Sequence, residues 1–334
     1  MKKFTKVLVA LLLIMQTLKA QDIHYSQFYA SPLTLNPAMT GVIEGNYRVG
    51  LMYRNQWASV TTPYVTPSIS FDINNLLPTI ITKGTFSGGL EILNDKAGDG
   101  NLSTLSVLLS AGYARPLDAE KKLNFSVGLQ TGFTQKTVDF SKLFFEDQFT
   151  GSGFDQTIAS ETGQNFGNLA LNLGTLITYH ASEKLDVFGG LAGFNLMSPK
   201  ESFLNDATDN RLGTRSTIHL GARYAISDKL DLLPTFLMMG QSKNREMNIG
   251  TAFGYKVNPD FNFYIGGYLR NKDAMIVMIG GEYKKVRLGL SYDVNTSTLR
   301  DASKGKGAFE LSLTYVGLIE GSVLEAPIMW CPRF

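Results

Sequence analysis

With 334 residues, 31 basic and 29 acidic side chains, the chain is close to neutral, which excludes the basic stripe that nucleic-acid binding draws on. A single cysteine, Cys331, excludes an internal disulfide framework and any cysteine-built metal site. Hydrophobic residues make up 44% of the chain and are spread along all of it among 33 glycines, a composition that fits a β protein, soluble or membrane-embedded.

The chain opens as a secretory signal peptide over 1–20. Lys2, Lys3 and Lys6 precede the apolar run 7–15, and Leu18-Lys19-Ala20 ends on a small residue before Gln21. That run is too short to span a bilayer as a helix, and no cysteine stands at the cleavage point to support a lipoprotein. Cleavage takes four lysines and no acid, leaving 27 basic against 29 acidic groups and a net charge of −2. Further along there is no apolar run of the roughly 18 residues a transmembrane helix needs.

Residues 21–45 read as an N-terminal segment that either stands in the periplasm or plugs a barrel, residues 46–316 as a transmembrane antiparallel β-barrel, and 317–334 as a C-terminal periplasmic tail. The barrel reading rests on period two. In 122–134, Leu123, Phe125, Val127 and Leu129 alternate with Asn124, Ser126, Gly128 and Gln130, which is the strand pattern and not the helical one. The same pattern predicts about fourteen strands, at 46–54, 64–73, 84–93, 102–115, 122–134, 168–179, 184–194, 215–226, 229–239, 246–257, 261–271, 274–284, 286–296 and 307–316. Their lengths suit tilted membrane strands, and an even number lets a single chain close with both ends on one side.

Links alternate in length. Short ones follow the even strands, at 116–121, 180–184, 227–229, 258–260 and 284–285, and long ones follow odd strands, at 94–101, 135–167, 195–214 and 296–306; 74–83 is a longish exception. Outer-membrane barrels have this asymmetry, with short periplasmic turns and longer outer loops. A weak repeat crosses three of the short links: Tyr179 and Leu185, Tyr224 and Leu230, and Tyr255 and Phe261 share one spacing.

Tyr113, Tyr179, Tyr224, Tyr255, Tyr283 and Tyr315 each close an even strand, which reads as a periplasmic aromatic girdle at the headgroup level. Arg48, Asp72, Glu91, Arg223, Glu282, Arg287, Asp293 and Glu310 share the parity of the small polar residues and are expected to point into the lumen, because a charge facing hydrocarbon is costly. If Lys284-Lys285 is a two-residue turn, Glu282 and Arg287 oppose each other directly.

Catalytic chemistry is thinly provided for. The histidines are His24, His180 and His219, and no phased nucleophile accompanies His219. Asp95 to Asn101 begins like a calcium loop, but Ala97 and Ser106 stand where oxygen ligands are required, so it reads as a Gly/Asp loop tip. No catalytic, cofactor or metal site is expected. The tail carries Ile328, Met329, Trp330, Cys331 and Phe334, apolar groups that call for a cover; Trp330, Cys331 and Phe334 are candidate partner contacts.

Several blocks resemble the PorP/SprF family: His24-Tyr25-Ser26-Gln27-Phe28-Tyr29, then Ser31-Pro32-Leu33, Leu35-Asn36-Pro37-Ala38 and Thr40-Gly41; Tyr53-Arg54-Asn55-Gln56-Trp57; Asn94-Asp95-Lys96-Ala97-Gly98; and Cys331-Pro332-Arg333-Phe334. The resemblance covers essentially all of the mature chain, and Asp99 departs from the family's loop pattern. It implies an outer-membrane barrel of the type IX secretion system of Bacteroidetes, supporting export and surface attachment of large adhesins such as those of gliding motility. The implied partners are outer-membrane lipid, a secreted adhesin and periplasmic components of the system. In that picture the loops at 135–167 and 195–214 meet exported protein, while the N-terminal segment and the tail meet periplasmic components. The competing expectation is an outer-membrane porin or small-solute transporter.

Overall fold

The computed structural model describes residues 24–60, 62–81, 83–144, 148–150, 153–155, 165–203 and 210–319. Peptide groups facing hydrocarbon have no water to bond, so a sheet spans a bilayer only if it closes on itself. Fourteen strands close here: β1 (Tyr47–Gln56), β2 (Tyr64–Ile73), β3 (Thr85–Ala97), β4 (Leu102–Pro116), β5 (Leu123–Thr137), β8 (Phe166–Ser182), β9 (Leu185–Phe194), β10 (Arg215–Ser227), β11 (Leu230–Gln241), β12 (Asn244–Asn258), β13 (Phe261–Arg270), β14 (Ala274–Tyr283), β15 (Val286–Asn295) and β16 (Lys306–Gly317). The remaining two, β6 (Phe149–Thr150) and β7 (Gly153–Phe154), form a separate small hairpin within the 138–165 loop. Each barrel strand is antiparallel to its sequence neighbour, and β1 pairs with β16 from Tyr47 opposite Gly317 to Gln56 opposite Ala308, which removes the last free edge.

Inward and outward residues alternate along the strands, bulges apart. In β16, Glu310, Ser312 and Thr314 turn inward and are buried, whereas Leu311, Leu313 and Tyr315 face out. Large apolar side chains populate the outer face, with Leu109 61% exposed and Leu191 56%. A belt of this extent on a monomer needs lipid to cover it. No helix among the described residues is long and apolar enough to cross a membrane.

Both ends of the barrel lie on the side of the short turns. The two-residue links 183–184, 228–229, 259–260 and 284–285 sit there. Three of the four share one device, a register shift at His180/Ser182, Ala225/Ser227 and Lys256/Asn258, and each places the closing tyrosine opposite the residue eight positions on: Val187, Leu232 and Phe263. A common bulged turn is therefore the physical content of the repeated Tyr spacing. The turn at 284–285 has no bulge, and Lys284 takes a φ of 55°.

Some boundaries differ from the sequence expectation. The 94–101 stretch is not a long loop: β3 continues to Ala97 opposite Leu102, and the link is a four-residue turn with Gly98 at φ 67° and Asn101 at φ 47°. The strands β5 and β8 likewise extend past the expected ends, pairing Lys136 with Phe166. Polar side chains on both faces of these extensions hide the alternation that marks the lower part. Links 242–243 and 271–273 are also short although they lie on the outer side.

Lipid contact on the outer face has a measurable consequence. Ile279→Arg, at mid-strand in β14, should destabilise the folded barrel by about 2–4 kcal/mol, and Tyr283→Arg at the strand end by about 0–1 kcal/mol. Denaturant midpoints in lipid vesicles, read by the mobility difference between unheated and boiled samples, check both; equal costs at the two depths would contradict the membrane placement.

Candidate functional site

The lumen is filled by the chain's own N-terminal segment. Residues 24–46 enter the barrel, and most of Tyr25 to Ile43 is buried. Two prolines start short helical pieces here, at Pro32–Leu35 and Pro37–Met39, where a missing N–H costs nothing, and a third turn runs over Phe28–Ala30. Asn36 caps the Pro37 turn, its Oδ1 accepting from Ala38 N at 2.9 Å.

The wall of the barrel is built to receive this segment at three levels. At the short-turn end, Arg48 makes a two-pronged pair with Asp72 at 2.9 and 2.7 Å, and Asp72 also accepts from Gly41 N at 2.8 Å. Gly41 has φ 70°, and a Cβ there would run into Ser87. At mid-depth, Gly112, Gly128 and Gly174 stand in register across β4, β5 and β8. Side chains at these positions would collide with Thr40, Pro37 and Asn36, so the glycines form the seat on which the segment rests. Asn36 Nδ2 donates to Thr175 O at 3.0 Å and lies 2.9 Å from His219 Nε2. A core of Phe28, Leu35, Met39, Leu176, Phe188 and Leu237 packs the segment against the β8–β14 side.

Near the outer end a charge network holds the start of the segment. The carboxylate of Glu310 accepts the backbone N–H groups of Ser26 and Gln27 at 2.7 and 2.8 Å and pairs with Arg54. Asp293 accepts from Ser26 Oγ at 2.7 Å and from Arg270 Nη2 at 2.5 Å, with Arg54 at 3.4 Å. Gln27 bridges Ser291 and Ser312. All four charged side chains are nearly solvent-free, and the set of two arginines and two acids is neutral.

The eight residues picked out by parity therefore divide among several surroundings. Arg48 and Asp72 form the short-turn anchor, and Asp293 and Glu310 belong to the outer network. Arg223 pairs with Asp186 at 2.8 Å, and Arg287 and Glu282 stand opposite each other at 3.2 Å, all in the polar space on the short-turn side. Glu91 is buried without an ion-pair partner. Arg54 and Arg270 complete the outer network and were missed; both lie at strand ends, and Arg54 shares the parity of Arg48. The six tyrosines lie on the outer face at the short-turn ends of β4, β8, β10, β12, β14 and β16; Tyr113 is half-buried and the others are exposed.

The expectation that the N-terminal segment meets periplasmic components is corrected for residues 24–43. Their polar groups are bonded to the wall and their apolar ones are packed, so they offer little free surface. His24 pairs with Glu246 and His180 with Asp186, so the three histidines belong to separate neighbourhoods. Asp95, near the end of β3, accepts from Thr66, and Asp99, in the 98–101 turn, accepts from Thr62. Among the described residues no group of three His, Cys, Asp or Glu is placed to hold a metal ion. The tail residues Trp330, Cys331 and Phe334 lie outside the described residues.

The family model of the type IX secretion system membrane protein PorP/SprF matches residues 17–315. The chain belongs to the PorP/SprF family. It is an outer-membrane β-barrel of that secretion system, and the block from His24 to Gly41 that resembles the family is the plug itself. No curated protein matches the chain in sequence. Among solved structures, a TodX deltaS2S3 mutant monoaromatic hydrocarbon channel is 14% identical, with 84% of this chain and 92% of that one covered at a TM-score of 0.51. The Ralstonia pickettii toluene transporter TbuX is 11% identical over 86% and 92%, at 0.49, and a Pseudomonas aeruginosa FadL homologue 10% over 84% and 92%, at 0.47. At such identities the likeness to the first is one of fold.

Removing one member of the outer network leaves its partners buried and unpaired. In this PorP/SprF barrel, Asp293→Ala should cost about 3–5 kcal/mol of stability. Glu120→Ala, in an exposed pair with Lys122, should leave stability unchanged. Denaturant midpoints in detergent micelles check the contrast; a neutral Asp293→Ala would mean that the network does not hold the plug.

Proposed function

We propose that this barrel supports the export and surface attachment of large adhesins, of the gliding-motility type, by presenting docking surfaces at its rims. The observation that carries the reading is the plug: a lumen occupied by buried residues of the same chain leaves the rims as the places where other proteins can bind. At the outer rim, the described residues of loops 138–165 and 195–214 and the start of β8 gather phenylalanines. Phe144 and Phe149 each stack near Phe154, at 5.3 and 5.1 Å, and Phe140 and Phe166 flank Phe203. Phe144 is 66% exposed and Phe149 64%, and exposed aromatic clusters of this kind serve as anchors in protein interfaces.

At the periplasmic rim the 317–334 tail is the second surface, with Trp330, Cys331 and Phe334 meeting periplasmic components of the secretion system. Cys331 can pair with another chain in an oxidising compartment. The chain reaches a Bacteroidetes-type outer membrane after loss of 1–20, works without catalysis or cofactor, and touches lipid, secreted adhesin and secretion components.

Deleting 328–334 should leave the barrel folded, by unchanged heat-modifiable mobility, and abolish co-purification of periplasmic partners from native membranes. Replacing Phe144 and Phe149 by serine should weaken capture of exported adhesin. Unchanged co-purification in both variants counts against the reading. A steady open conductance of the purified barrel in planar bilayers would favour the porin or small-solute transporter instead.

A further inference from the structure

The plug leaves a cavity of about 100 Å³ between Asn195, Pro199, Glu201 and Leu212 and the wall formed by β3, β4, β5, β8 and β10. At its base lies Glu91, 1% exposed. One carboxylate oxygen, Oε1, has no hydrogen-bond partner, and Oε2 receives only a long 3.5 Å contact from Gln130 Nε2. That amide is otherwise engaged: Gln130 donates to Ser110 Oγ at 3.0 Å and accepts from Asn172 Nδ2 at 2.7 Å.

Two cations, Lys136 and Arg215, also line the cavity, and neither bonds to the Glu91 carboxylate. Lys136 pairs with Glu201 at 2.7 Å. Arg215 lies over the Phe194 ring at 4.1 Å and donates to Thr34 O at 3.1 Å. Among the described residues no cation reaches ion-pair distance of Glu91. A buried carboxylate in this condition bears a desolvation penalty that a nearby cation, a strong donor or protonation of the carboxyl relieves.

We propose that this cavity binds an alkylammonium group, with the charged head on Glu91 Oε1 and the aliphatic stem along Leu93, Leu108, Phe194 and Leu212. Leu93, Leu108, Phe194 and Leu212 give a mixed lining an apolar side, and the buried Glu91 carboxylate gives it an under-bonded acceptor, a pairing that suits a stem with a compact charged head. A multivalent metal ion needs several anionic oxygens, and among the described residues no group of three His, Cys, Asp or Glu gathers here. The head can come from a free aliphatic amine or from a lysine side chain of a protein bound at the outer rim. The inference is independent of the secretion reading, because it concerns small-molecule binding by the isolated barrel.

Calorimetric titration of the purified full chain in detergent with n-butylammonium, and separately with n-butanol, tests it. Saturable binding of the amine and none of the alcohol is expected, with at least a tenfold loss in Glu91→Gln and no loss in Lys122→Ala. If Glu91→Gln does not fold, Glu91→Asp, which withdraws the charge by one methylene, carries the test with the same expected loss. A blocked peptide with one lysine, compared with its norleucine counterpart, distinguishes the sources: binding of both amine and lysine peptide assigns the site to a protein side chain as well, and binding of the amine alone to free amines. No saturable butylammonium binding by the folded barrel, or equal binding by Glu91→Gln, overturns the proposal.

Discussion

Hydrocarbon leaves each peptide N–H and C=O only the neighbouring strand to bond, and the rest of this structure follows from that. Closure of β1 on β16 meets the requirement and at once assigns every strand residue to lipid or lumen. Polar and charged side chains are then turned inward by parity, toward a lumen that the N-terminal segment fills. Something has to bond them. The N-terminal segment does so with its backbone as much as its side chains, as when Glu310 accepts two consecutive N–H groups from Ser26 and Gln27.

The plug and the wall are consequently one design. A segment without regular secondary structure has orphan backbone groups, which are tolerable inside a protein only if each finds a partner. Short turns started by Pro32 and Pro37 reduce the number of N–H groups to satisfy. The wall responds with glycine where the backbone comes close, at Gly112, Gly128 and Gly174, and with acids where N–H groups point outward, at Asp72 and Glu310. Isolated buried ion pairs add little net stability, but breaking one is costly, so the outer network acts mainly by making alternative placements of the segment unfavourable.

Strands were legible because each amide pair imposes period two, and parity needs only a clean run of alternating residues such as Leu123 to Gln130. It lost the signal where both faces meet water, as at Asn94-Asp95-Lys96 and Gln135-Lys136, since nothing there selects apolar side chains on one face. The repeated Tyr spacing was visible, but its cause, a shared bulge, is a backbone fact without a residue signature. Arg54 and Arg270 escaped because they sit at strand ends, where alternation is about to stop. The path of residues 24–46 has no periodicity of its own; only its dense Pro, Asn and Ser content and its family-like block marked it out, and neither says to which wall it bonds. Apart from Glu282 and Arg287 across one short turn, the sequence showed charges one by one, whereas their pairing is a property of the closed circle: Arg54 meets Glu310 only because the first strand lies beside the last.

That last point bears on how the barrel works in its secretion system. Ser26 and Gln27 touch both β15 and β16 partners and, through Arg54, β1, so the plug ties together the strands on either side of the closing seam. The seam is where a barrel would open if it opened at all, since it joins the chain's two ends. A chain that binds its own seam from inside, and whose residues most typical of its family lie in that binding segment, is organised to remain shut. On the proposed function, cargo is then held at the rim by a rigid body, and the passage of protein across the membrane belongs to another component.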